Sequence, residues 1–177
     1  MQNISRSEFY HFFRANLTGL IGDLELSDYV ADMMVRFSEP KSLSIFFDKR
    51  SDSEKFDAVW RNPSKVEAYK QFRDLGDSYL WLCGFYPAFL SKQRKPSLGM
   101  KNYTGAGQTS YNYAVSVGNC IKCAAPNVGT LSRVSDNFRG LAKSIFELKT
   151  RIDIGIASLS PRLQAKREAI IDACLIF

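Results

Sequence analysis

Apolar residues recur along the chain at steps of three and four, the spacing of one face of an α-helix, and seldom at the alternating step of a strand. Ser5 and Glu8 have the spacing of a capping box, and Phe9, Phe12, Phe13, Leu17, Leu20 and Ile21 then trace a helical face as far as Gly22. Ser27 is placed to cap a second helix carrying Tyr29, Val30, Met33, Met34 and Phe37, closed by Pro40. Residues 41–61 are less regular. There "SLSIFF" reads as a short strand or a buried helical turn, "DKRSDSEK" as a polar connection, and Phe56, Val59 and Trp60 as another short helix. Asn62 and Pro63 offer a cap and a preset first-turn residue to a long helix bearing Val66, Tyr69, Phe72, Leu75, Tyr79, Leu82 and Cys83.

Pro87 opens a further short helix, "PAFLSKQR", which Pro96 interrupts. A longer helix is predicted from about Leu98 toward Pro126, although each glycine in it weakens a helix by about 1 kcal/mol relative to alanine. The most regular pattern is Leu131, Val134, Phe138, Leu141, Ile145, Leu148 and Ile152, a core-facing helix with a coiled-coil-like seam. A last helix opens at Ser160 and Pro161 and runs to the end of the sequence. The expectation is one all-α domain over residues 1–177, a bundle of about six to eight helices with 64–86, 98–124 and 131–153 at its centre.

Composition leaves that picture in place. A chain of 177 residues with 45% hydrophobic and 24% charged side chains can bury a core without disulfide or metal staples. No apolar run approaches the roughly 18 residues of a membrane span, and "MQNISRSEFYHFF" does not read as a secretory signal, so the expected address is the cytoplasm. Cys83, Cys120, Cys123 and Cys174 are too scattered for a disulfide framework and read as reduced thiols. The net charge of +6 equals the six basic residues between Asp77 and Asp136, a window with no acid. Its density of basic residues is below that of the rest of the chain. The window is therefore poor in acids rather than rich in bases, and a nucleic-acid partner is not expected.

The densest stretch is "DLGDSYLWLCGFYP", residues 74–87. On a helix Gly76, Cys83 and Gly84 notch an otherwise bulky surface, and Gly107, Ser110 and Ala114 notch the next long helix, with Tyr103 and Tyr111 on that same face. Small-residue stripes let helix backbones approach, so the two helices are expected to cross closely with Tyr111 near Asp77. Arg73 precedes Asp77 by one turn and Lys70 precedes Asp74 by one turn, the spacing of helix-surface ion pairs. Arg73, Asp77, Tyr103 and Tyr111 thus form a candidate polar cluster, either ligand-binding or structural. Paired carboxylates for hydrolysis would need a second acid, which the acid-free window does not supply, so no catalytic residue is assigned and a structural role for Asp77 is favoured.

Other motifs are weaker. "GAGQTS" lacks the Lys-Ser/Thr ending of a phosphate loop and follows no strand. Cys120-x-x-Cys123 has no second pair and no neighbouring histidine, since His11 is the only one, so neither a metal nor another cofactor is expected. A single histidine also leaves no catalytic triad. Cys174-Leu175-Ile176-Phe177 fits a prenylation box with Arg162, Lys166 and Arg167 upstream, although an apolar helix end tucked into the core is the favoured reading.

The run Leu75, Gly76, Asp77, then Gly84, Phe85, Tyr86, Pro87, followed by Tyr103, Gly107 and Tyr111, resembles the pattern of an uncharacterised family of bacterial helical proteins. The resemblance extends more loosely from the Tyr29 helix to the Phe138 helix, and the "KQRKPSLGMKN" and "TGAGQ" segments depart from it. It implies an all-helical cytosolic protein and no particular activity. The leading expectation is a non-enzymatic helical binding or adaptor protein of unknown partner. Its rivals are a prenylated, membrane-associated, effector-like protein anchored through Cys174, and an enzyme or small-ligand binder with a pocket around Asp77 and Tyr111.

Overall fold

The computed structural model describes residues 5–38, 50–91, 100–121 and 128–153. The "SLSIFF" segment, Cys123, the helix expected from Ser160 and the Cys174–Phe177 box lie outside the described residues. Within them every element is helical: α1 (Arg6–Ile21), α2 (Leu24–Phe37), α3 (Asp52–Trp60), α4 (Lys65–Phe85), the short α5 (Pro87–Ser91), α6 (Met100–Gly118), α7 (Val128–Asp136) and α8 (Phe138–Asp153). No described helix is long and apolar enough to cross a membrane.

The helix ends show why the chain breaks where it does. Ser5 and Glu8 close their capping box, and Gly22 ends α1 in the left-handed region at φ 72°, where a side chain would be strained. The cap of α2 is Asp23 and not Ser27: the Asp23 side chain accepts from the Leu26 N–H, and the Ser27 hydroxyl donates back to the Asp23 carbonyl. Ser51 and Glu54 form a second capping box, at α3. At α4 the cap is Ser64, two residues beyond the expected Asn62, so Pro63 precedes the helix instead of opening its first turn, and the Asn62 side chain accepts from the Ser64 N–H at 3.0 Å. The long 131–153 helix is divided at Asn137, whose side-chain amide donates to the Arg133 carbonyl, the local side-chain competition that bends helices. Its seam survives the break, since Leu131, Val134, Phe138, Leu141, Ile145, Leu148 and Ile152 are all buried.

Helix α4 is the central post. Every residue from Leu75 to Trp81 is buried, the signature of a helix surrounded on all sides rather than lying on a surface. It packs most extensively on α6 and next on α8, while α1 lies on α2 and α7 on α6. Phe56 and Trp60 of α3 meet Phe72 of α4 and Tyr113 of α6 with ring centroids 5.0–6.3 Å apart, fastening α3 to that pair.

The glycine notches decide the helix spacing. A Cβ at Gly107 would stand 2.4 Å from the Phe138 ring and 3.0 Å from the Tyr79 Cβ, so α4, α6 and α8 converge on that missing methyl. One at Gly84 would stand 2.6 Å from Ile145, so this notch serves α8 and not, as expected, α6. Gly105, two residues before Gly107 and on the opposite, exposed side of α6, has nothing within 4 Å. Gly107→Ala is therefore expected to destabilise by about 1–3 kcal/mol through overpacking, despite alanine's better helix propensity. Gly105→Ala should instead raise stability by up to about 1 kcal/mol. Chemical denaturation of the two variants side by side checks the opposite signs.

Candidate functional site

Asp77 sits in the middle of α4 with no accessible surface. A buried carboxylate is costly unless its oxygens are occupied, and here both are. Oδ1 accepts the Tyr29 hydroxyl at 2.5 Å and the Tyr111 hydroxyl at 2.7 Å; Oδ2 accepts the Arg36 guanidinium at 2.8 Å. Three helices contribute: Tyr29 and Arg36 lie two turns apart on one face of α2, and Tyr111 comes from α6.

The neighbouring residue makes the geometry possible. A Cβ at Gly76 would lie 2.8 Å from the Tyr111 ring, so the absence of a side chain at 76 is what lets that ring lie across α4 and reach the carboxylate at 77. The expected approach of Tyr111 to Asp77 is thus observed, along with the small-residue opening that was its reason.

The other expected members divide. Arg73 makes the expected ion pair with Asp77, at 3.9 Å, but gives its hydrogen bonds to Asp74, at 2.6 and 3.0 Å. Lys70 pairs with Glu67 at 2.9 Å, and not with Asp74 as its spacing suggests. Tyr103 does not join the Asp77 group. Eight residues before Tyr111, it stands about 12 Å along α6, half-buried, with its ring edge against Tyr79 at 5.8 Å. Tyr79 in turn donates to Asp52 at the start of α3.

Two members of the cluster are not found by sequence reasoning, Tyr29 and Arg36. Their signal is present in hindsight of the fold alone: Arg36 is the one basic residue of α2 and shares the face of Tyr29 seven positions earlier. Arg36 also reaches Asp32 at 3.0 Å and Asp74 at 3.6 Å, so one guanidinium serves three acids.

Electrostatics fixes the protonation of the hydroxyls. Burial, then the Asp77 charge, push Tyr29 and Tyr111 well above the ordinary tyrosine range. For Arg36, burial works against the charge, but attraction and hydrogen bonding from Asp77 more than offset it and hold the guanidinium above its usual value. The cluster is a set of matched donors and acceptors in which the carboxylate and both hydroxyl-bearing rings are buried and only Arg36 keeps part of its side chain exposed. Asp77 and Tyr111 are both fully buried, so the expected pocket between them is not there.

Hollows among the described residues lie beside the cluster and not in it, one of about 570 Å³ between α3 and the first half of α4 reaching Asp74 and Leu75, and a wider one near the end of α4. An open groove of about 800 Å³ runs between α4, α6 and α8, floored by Cys83, Thr104 and Ala142 and walled by Phe146. Lys101, Arg139 and Lys143 stand at its edge, exposed. The Cys83 thiol is buried at the floor, 4.0 Å from the Thr104 hydroxyl, and burial pushes it up to about 11, away from thiolate chemistry at neutral pH. Cys120 is exposed, and no group of three or more metal-type ligands forms among the described residues. Comparison of the chain with protein-family models, with curated proteins and with solved structures gives no match.

Two measurements check this assignment. Arg36→Met leaves the Asp77 charge buried without its nearest cation and should cost about 3 kcal/mol or more in a denaturation experiment. Because the fold holds Tyr29 and Tyr111 neutral, their contribution is fully present below pH of about 10, where unfolded tyrosine titrates, and is lost as pH rises above it. Each such tyrosine adds a loss of about 1.4 kcal/mol per pH unit. Tyr111→Phe should flatten the alkaline limb by that amount, read from urea midpoints between pH of about 9 and 11.

Proposed function

We propose that the protein is a non-enzymatic helical binding protein of the adaptor kind, acting through its surface and not through a reaction centre. The observation that carries this reading is a division of labour. The Asp77 carboxylate, at the centre of the densest polar cluster among the described residues, is buried and saturated, whereas the open groove between α4, α6 and α8 is lined by no carboxylate and no histidine, and its one thiol is held protonated by burial. A general base must reach the proton it abstracts, and Asp77 has no surface from which to do so. A groove with an apolar floor and a few polar groups at its edge is the ordinary form of a recognition site.

The groove replaces the neighbourhood of Asp77 and Tyr111 as the place where a partner would sit. The lipidation reading at Cys174 lies outside the described residues and is separate from this one. Kinship with the bacterial helical proteins whose Leu-Gly-Asp pattern the chain resembles belongs to the same proposal and adds no activity to it.

Affinity capture from the source cell with the wild-type chain and with Phe146→Glu checks the reading. Phe146 is 44% exposed, so the substitution leaves the core untouched. Proteins retained by the wild type and lost from the variant are expected, with no turnover in a broad substrate screen. Turnover that survives Phe146→Glu and disappears on changing Asp77 would overturn the reading.

A further inference from the structure

The groove has a definite charge and length. Lys101, Arg139 and Lys143 surround it, none of them pairs with an acid among the described residues, and none of the residues lining it is acidic. Several other arginines of the described surface are drawn into pairs, Arg14 with Asp28, Arg133 with Asp23 and Glu25, and Arg151 with Glu147, whereas Arg61 is not. Cations left unmatched around an apolar floor call for an occupant that brings its own negative charge.

Along α8 the groove presents two parallel rows. Arg139 and Lys143 are one turn apart, and so are Ala142 and Phe146, so the wall from 139 to 146 is about 10 Å long. The small Ala142 leaves a hole between bulkier neighbours, and the exposed Phe146 forms a ridge beside it. Two turns of a helix have the same length, with apolar anchors at i, i+3 and i+7 along one side and charges one turn apart along the flank.

We infer that the groove receives an acidic amphipathic helix of a partner protein, its apolar anchors on Ala142 and Phe146 and its carboxylates against Arg139, Lys143 and Lys101. This deepens the adaptor reading and rests on it. The shape and the charge both favour a helix over a fatty acid. The groove is open along one side, which suits an occupant whose other face stays in water, whereas a hydrocarbon chain needs enclosure. Three cations also exceed what one carboxylate head would use.

The test uses a fluorescein-labelled designed helix with leucine at i, i+3 and i+7 and glutamate one turn apart on the flank. Its control has lysine in place of every glutamate. Fluorescence anisotropy with the full chain should show saturable binding of the glutamate helix, falling as salt is raised, and at least tenfold weaker binding of the lysine helix. The double substitution Arg139→Glu with Lys143→Glu, and separately Phe146→Ala, should each weaken the glutamate helix at least tenfold at unchanged melting temperature. Equal binding of both helices, no saturable binding, or binding indifferent to both variants overturns the inference. Displacement of the helix by dodecanoate at equal concentration overturns it too, in favour of a lipid site. In each case the capture experiment with Phe146→Glu decides the adaptor reading independently.

Discussion

The arrangement depends on one unfavourable act, the placing of a carboxylate inside the helix that runs through the middle of the protein. Asp77 has no water to turn to, so the fold must bring donors to it from elsewhere, and it brings them from helices on two sides. That requirement fixes more than one contact. With Tyr29 and Arg36 on one helix and Tyr111 on another, α2 and α6 cannot slide along α4 without breaking a charged hydrogen bond, and a broken one leaves the charge exposed to a low dielectric. Hydrophobic packing alone is tolerant of such slips; a saturated ionic joint is not. The joint contributes positional definition at least as much as net stability, since the desolvation of both ions offsets much of their attraction.

The sequence announces this joint only in part, and the reasons are physical. The approach of α6 to α4 is legible because glycine at 76 and at 107 removes side chains where a neighbour must enter, and such gaps interrupt an otherwise bulky pattern. Arg36 is not legible, because it lies 41 positions from its partner and nothing in local spacing points across that distance. Local spacing points instead to Arg73, one turn away, which spends its hydrogen bonds on Asp74. The same bias toward near neighbours puts Tyr103 beside Tyr111: both follow the helical period, but eight residues is too far along the axis to share a site.

Helix boundaries err for a related reason. Asp23 and Ser27 are both good caps, and the choice falls on Asp23, whose carboxylate is also the partner of Arg133 on α7. A tertiary contact selects between two adequate local signals. The division of the last described helix at Asn137 is instead accompanied by a local side-chain bond, and the apolar seam passes straight through the break, so periodicity has no means of registering it. Where packing and local preference agree, as at the Ser5–Glu8 box and Gly22, the element begins and ends where the sequence places it.

The convergence at Gly107 has an implication for how such a sequence can drift. A single hydrogen atom there faces an aromatic ring on α8 and the base of a tyrosine on α4. Three rods thus share one unit of volume, and growth at 107 has to be matched by shrinkage at Phe138. Kindred chains that have traded bulk between those two places would retain the same interaxial distances, whereas enlargement of both would force the rods apart and change the width of the cleft beside Ala142. The dimensions of the surface are in that sense set from within, by an exchange of methylenes far from any partner.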